Sequence, residues 1–206
     1  MALVKLNNKA VSNATAFGSI TGLGSMVFIK KLTASSSATL SFVDGTDGVV
    51  LDDTYKEYYF TFNNMHPANN NASFEFNVSI DGGSNYNVVK TTTSFQAYHL
   101  ESDAYAGIEY NASYDLAQST AFQIINYGIG NDNDENMSGT LNFYNPSSTT
   151  FVKHFIVNTN NTQASGYSQN FFVAGYGNTT SAIDAIRFQM ASGNIDAGDI
   201  CLYGIA

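Results

Sequence analysis

The chain has no tryptophan, two prolines and a single cysteine, Cys201. One cysteine excludes an intrachain disulfide, so no covalent sulfur staple holds this fold. Cys201 lies in the alternating run Asp199–Tyr203 and reads as a small core residue. No apolar run approaches the ~18 residues needed to cross a bilayer as a helix. The opening residues Met1-Ala2-Leu3-Val4-Lys5 have no extended apolar core, so they do not read as a secretory signal. Charge is scarce too. Only 12% of residues are charged, about half the usual share, so solubility must come from Asn, Ser, Thr and Gly. Acid is missing altogether before Asp44, whereas Lys5, Lys9, Lys30 and Lys31 all fall in that stretch. The 17 acidic residues lie beyond it, and the net charge is −9.

What is present is aromatic and β-forming. Tyr and Phe, 13 and 15 residues, supply nearly all the bulky apolar payload. No segment sustains a 3.6-residue period, whereas several alternate strictly, and the Gly, Asn and Ser clusters between them read as turns. The spacing predicts strands at Thr39–Val43, Glu57–Phe62, Ser73–Ile80, Tyr86–Thr92, Thr120–Tyr127 and Thr140–Tyr144, then at Phe151–Asn158, Ser168–Tyr176, Ala185–Met190 and Asp199–Tyr203. Asp81-Gly82-Gly83 is the strongest hairpin signal, because glycine tolerates the positive φ of a tight turn. Asn158–Thr162 reads as a loop by composition. Leu100–Gln118 is the least regular stretch, a long crossing loop with a short helix as the alternative at Leu116–Ala121. The fold expected is all-β: an antiparallel, jelly-roll-like β-sandwich over residues 36–206, preceded by an extended N-terminal arm and first strand over residues 1–35. An arm that buries little of itself is ordered on something else, and exchange of such arms between subunits makes oligomers.

Three runs then acquire a common meaning. They are Leu51-Asp52-Asp53-Thr54-Tyr55-Lys56-Glu57-Tyr58, the turn Ser79-Ile80-Asp81-Gly82-Gly83-Ser84-Asn85-Tyr86, and the C-terminal Ser192 to Ile205. With the stretches Ala16-Phe17-Gly18 and Phe28-Ile29-Lys30-Lys31-Leu32, they resemble structural proteins of marine tailed phages, cyanophages among them. The resemblance spans most of the chain and implies a virion location. It carries turn-and-strand patterns and no catalytic residues. The function it implies is a non-enzymatic virion structural protein, decorating or cementing the capsid surface as an oligomer, with a trimer favoured and the major capsid protein or another virion component as partner. The alternative is a tail-fibre or appendage protein whose loops bind a host surface glycan.

Candidate sites follow from residue chemistry. Lys5, Lys9, Lys30 and Lys31 are placed to meet acidic patches of a partner or a sister subunit. Nucleic acid is disfavoured, because phosphate binding needs a basic surface and the body is acidic. The histidines His66, His99 and His154 are scattered, and no nucleophile-elbow motif accompanies them, so the reading is not an enzyme. Scattered His and one Cys also argue against zinc. Calcium has a secondary candidate in the loop bearing Asp132, Asp134 and Glu135, and a weaker one of the same kind in Asp44, Asp47, Asp52 and Asp53. Counted from Asp132, Met137 and Phe143 stand where an EF-hand requires Gly and Glu, and a solvated turn is the simpler account. No cofactor is expected. For a glycan, the first suspects are Tyr55, Tyr58, Tyr59, Tyr105, Tyr110 and Tyr114, each of which serves equally as core or interface packing.

Overall fold

In a strand, alternate side chains point to opposite faces, so a chain rich in period-two segments must bury one face of each sheet. The computed structural model describes residues 26–206. Among these no helix occurs, and so none is long and apolar enough to cross a membrane. The strands are β1 (Met26–Ser37), β2 (Leu40–Val43), β3 (Glu57–Pro67), β4 (Ala72–Ser79), β5 (Lys90–Leu100) and β6 (Ala106–Tyr110). They continue as β7 (Gln123–Ile129), β8 (Met137–Tyr144), β9 (Lys153–Gln163), β10 (Tyr167–Gly177), β11 (Ala185–Met190) and β12 (Ile195–Ile205). All pairings are antiparallel.

The order β1-β12-β3-β8-β9-β10-β5-β6 forms one broad layer, and β7-β4-β11-β2 forms the second. The layers join at β9, which pairs along its length with β8 and β10 and meets β7 at Gln163↔Ile129. The result is the all-β antiparallel sandwich expected from the sequence, curled until it is nearly closed. β1 runs unbroken through residue 35 to Ser37, paired with β12. Residues 1–25 of the expected arm lie outside the described residues.

The two layers are pinned by phenylalanine. Phe188 of β11 meets Phe60 and Phe62 of β3 across the sandwich at 5.5 and 5.2 Å between ring centroids. On its own layer it meets Phe74, Phe76 and Phe42 at 5.9, 6.2 and 6.4 Å. All six rings are at most 1% exposed. Edge-on and offset contacts of this kind add to the burial of each ring.

Three expectations need correction. Asp81-Gly82-Gly83 does turn, with positive φ at both glycines, but it makes no hairpin: β4 pairs with β7 and β11, and β5 with β10 and β6. Ser79 Oγ accepts from the amides of Asp81 and Gly83, and Asp81 Oδ1 from that of Asn85. The chain then crosses from one layer to the other, and β5 begins only at Lys90. Residues 158–162 are strand, not loop. Thr159 and Asn161 continue the inward face of β9 and are satisfied there: Thr159 Oγ1 donates to Ile125 O at 2.6 Å, and Asn161 Nδ2 to Tyr127 O at 3.2 Å. No helix forms at 116–121. The irregular stretch instead contains β6, an edge strand on β5.

Two predictions follow from this packing. Phe188→Ala should cost about 3–5 kcal/mol in chemical denaturation, as for a ring removed from a closed core; a loss under about 1 kcal/mol would mean that the sandwich is centred elsewhere. Lys153 is fully buried at the start of β9, with Thr179 O as acceptor at 3.1 Å, and desolvation lowers its pKa from 10.5. The folded state therefore resists the charged form that the unfolded chain keeps up to pH 10.5. Stability should rise as pH climbs from the folded pKa to 10.5. Lys153→Met should raise the melting temperature at neutral pH and by less near pH 10.5; a pH-independent difference would refute this account.

Candidate functional site

The inward faces of β5, β9 and β10 change character along their length. Near the phenylalanine cluster they carry Phe155, Val157 and Val173, all buried. Toward the opposite end the inward register passes to Gln96, Asn161, Gln169 and Tyr98, because Asn161 pairs with Gln169 and Gln169 with Tyr98. Here the sandwich opens into a cleft of about 210 Å³. Gln96 and Tyr98 come from β5, Glu109 from β6, Tyr127 from β7, Gln163 from β9, and Tyr167 and Gln169 from β10. Tyr98 and Tyr167 meet edge to face at 5.9 Å, and Tyr127 is backed by Tyr114 at 4.7 Å.

A chain of hydrogen bonds runs through the floor. Gln169 Nε2 donates to Gln96 Oε1 at 2.5 Å, and Gln96 Nε2 donates to Glu109 Oε1 at 2.5 Å. The carboxylate orients Gln96, which in turn orients Gln169. The far end of the chain is open: Gln169 Oε1 is buried without a partner, and so is Asn161 Oδ1 on the neighbouring strand. Buried acceptors are nearly always satisfied in folded proteins, so these two, like Ser94 Oγ, Asn126 Oδ1 and Asp184 Oδ1 elsewhere, each call for a donor such as a water or a ligand hydroxyl.

Two glycines shape the mouth. A Cβ on Gly107 would lie 2.9 Å from the Tyr98 hydroxyl, so the bare backbone of β6 lets that ring lie close. Gly128 has φ +72°, and a Cβ there would lie 2.7 Å from Gln163 Nε2. No lysine or arginine lines the cleft. Its chemistry is amide, phenol, aromatic face and one carboxylate, which suits a neutral polyhydroxylated ligand and repels an anion.

A second surface lies on the outside of the broad layer. Tyr110, Phe95 and Phe172 face one another across β6, β5 and β10, with Phe95 and Phe172 stacked at 4.8 Å. Ile108 and Ile156 stand beside them, 78% and 49% exposed. An open groove of about 490 Å³ adjoins, floored by Ala174 and Gly175 and walled by Tyr144, His154 and Tyr176.

The sequence-predicted residues are distributed differently. Lys30 Nζ donates to Asp47 O at 2.9 Å, and Lys31 pairs with Asp199 at 3.2 Å, so both are engaged within the chain. Lys5 and Lys9 lie outside the described residues. Glu135 turns back to accept from the Asp132 amide at 2.9 Å. Among the described residues no group of three His, Cys, Asp or Glu forms that could hold a metal, the trio Asp132, Asp134 and Glu135 included. His66 lies near Asp132 O and Asp196, and His99 pairs with Asp103 on the surface. Of the tyrosine suspects, Tyr58 is core and donates to Asp52 O, Tyr110 bonds Asp115, and only Tyr114 reaches the cleft, through Tyr127. Sequence reading missed Tyr98, Tyr127, Tyr167, Gln96 and Gln169. One signal for them existed: Gln169 shares the period-two face of Phe171 and Val173, where a glutamine must find buried partners.

No protein-family model matches the chain, and neither a curated protein nor a solved structure does.

Gly128→Ala tests the shaping of the cleft. It should destabilise the protein by about 1–2 kcal/mol through its left-handed backbone alone and displace the Gln163 amide. Unchanged stability and an unchanged Gln163 side-chain amide resonance would refute the steric argument.

Proposed function

We propose that this chain is a non-enzymatic binding protein of a phage virion, an appendage-type β-module whose Tyr/Gln cleft takes a neutral saccharide of the host surface. The observation that carries the reading is the hydrogen-bond chain from Glu109 through Gln96 to Gln169, ending on an acceptor with no partner. A sugar hydroxyl reaching that floor supplies the missing donor. Tyr98, Tyr127 and Tyr167 offer faces and phenol groups to the ring above it. Gln96 and Gln169, both buried, are held in line before the ligand arrives, so little ordering of the floor is left to the binding step. The virion setting rests on the resemblance of the turn-and-strand runs; the cleft stands without it.

A second reading, a capsid-decorating oligomer, is favoured by the exposed Phe95, Ile108 and Tyr110 of the outer face, an apolar area suited to packing against a neighbour. Copy number separates the two: on the order of hundreds per particle fits decoration, a dozen or fewer fits an appendage.

Binding is tested by NMR titration with glucose, galactose, mannose, N-acetylglucosamine and their short oligomers, alongside a sialylated sugar. Neutral sugars should shift the Tyr98, Tyr127 and Tyr167 resonances with dissociation constants near ~1 mM or tighter, and the anionic sugar should bind less well. Gln169→Leu should weaken binding about tenfold or more. A folded protein that binds no neutral sugar of the panel overturns the reading.

A further inference from the structure

Away from the cleft, beneath the crossing that follows Asp81-Gly82-Gly83, a lysine and an asparagine meet in the interior. Lys90, the first residue of β5, and Asn77 of β4 are both 0% exposed. Lys90 Nζ donates to Asn77 Oδ1 at 2.6 Å and to Val88 O at 2.8 Å. Among the described residues no carboxylate lies within ion-pair distance of Lys90. An unpaired buried cation is costly, and buried lysines are ordinarily paired for that reason. We propose that Lys90 and Asn77 form an intramolecular isopeptide bond, a covalent link between β4 and β5.

The chemistry is complete within the pair. Burial lowers the amine pKa to about 7, so a large fraction is neutral near that pH and carries a lone pair. A neutral amine has two hydrogens, and the two acceptors already named account for both. Rotation about Cε–Nζ turns the lone pair toward the Asn77 Cγ. That carbonyl is polarised by the Val78 amide, which donates to Oδ1 at 2.9 Å. The Asn77 plane is locked by donation from Nδ2 to Tyr86 O at 2.7 Å and to Thr120 O at 2.9 Å. The Nζ–Cγ bond forms and the Cγ–Nδ2 bond breaks. One amine proton passes to the departing nitrogen, which leaves as ammonia. Nothing is oxidised or reduced, and no co-reactant is needed. The space that Nδ2 vacates has two carbonyls on its rim and suits one water, which can donate to both.

Fixed proximity drives the step: well-oriented intramolecular reactions reach effective molarities of about 10⁵–10⁸ M. The product also solves a structural problem. β4 and β5 share no ladder, and the chain between them crosses from one layer to the other. The amide replaces an uncompensated amine with a neutral strut between them.

Mass spectrometry of the intact, unfolded full-length protein tests this. Followed from fresh expression through incubation at neutral pH, the mass should become lower than the sequence mass by one ammonia. Trypsin should then fail to cut after Lys90, and a further cut at Tyr86 should leave two fragments still joined. Lys90→Met should keep the full mass. The proposal is overturned if the wild-type chain retains its full mass and is cut after Lys90 once unfolded, or if Lys90→Met loses the same ammonia. If that variant does not fold, the wild-type digest decides alone. None of these outcomes depends on saccharide binding.

Discussion

β9 is paired with β10 along its whole length and with β8 from Phe155 to Asn161, so its inward side chains, unlike those of an edge strand, have no easy way out to water. Whatever the sequence puts at every second position from Lys153 must be accommodated inside. Phe155 and Val157 need only be surrounded, and the phenylalanine cluster does that. Thr159 and Asn161 need partners. They draw β7 onto the end of β9, because the partners available are Ile125 O and Tyr127 O, with Asn126 Nδ2 donating back to Thr159 Oγ1 at 3.0 Å. The joint between the layers is therefore made by hydrogen bonds from one strand's polar interior positions. Backbone pairing there amounts to the single residue pair Gln163↔Ile129.

The same constraint produces the cleft. A sandwich end filled with amides cannot close as a phenylalanine core does, since each amide brings more donors and acceptors than its neighbours can satisfy. The Glu109–Gln96–Gln169 chain uses most of them and leaves Gln169 Oε1 over, with Asn161 Oδ1 beside it. Polar interiors of this kind are costly to fold. They are gathered at one end, while the other end is packed with rings at most 1% exposed.

Much of the architecture was legible because period-two alternation survives in the sequence. Phe74, Phe76 and Val78 against Glu75, Asn77 and Ser79 assign β4 and its faces without further help. Legibility failed where composition contradicted position. The run Asn158-Thr159-Asn160-Asn161-Thr162 has loop composition, yet its alternate members are buried and bonded in β9. Asp81-Gly82-Gly83 has hairpin chemistry, but pairing depends on which strands lie alongside, and β4 was already flanked by β7 and β11. The cleft was hidden for a related reason. Its tyrosines sit on three strands separated by up to dozens of residues, and only the β5–β10 and β9–β10 registers bring Tyr98, Gln163 and Tyr167 to one rim. Tyrosines in loops drew attention on sequence grounds, whereas those that line the cleft project from strand ends.

The two surfaces do not compete for the same residues. The cleft opens from the inward faces of β5, β9 and β10, whereas the aromatic face belongs to their outward positions, one residue away along each strand. Phe95 points out and Gln96 in; Asn170 points out and Gln169 in. A neighbour packed on the outer face would leave the mouth free, and it would stiffen the strands that hold Gln96 and Gln169 in line. For a small ligand of the kind proposed, rigidity would matter more than area, because such a ligand offers little apolar surface and its affinity would depend on donors and acceptors held in place beforehand. An assembly contact on one side of this sheet would therefore be compatible with a binding site on the other and would help to hold it in shape.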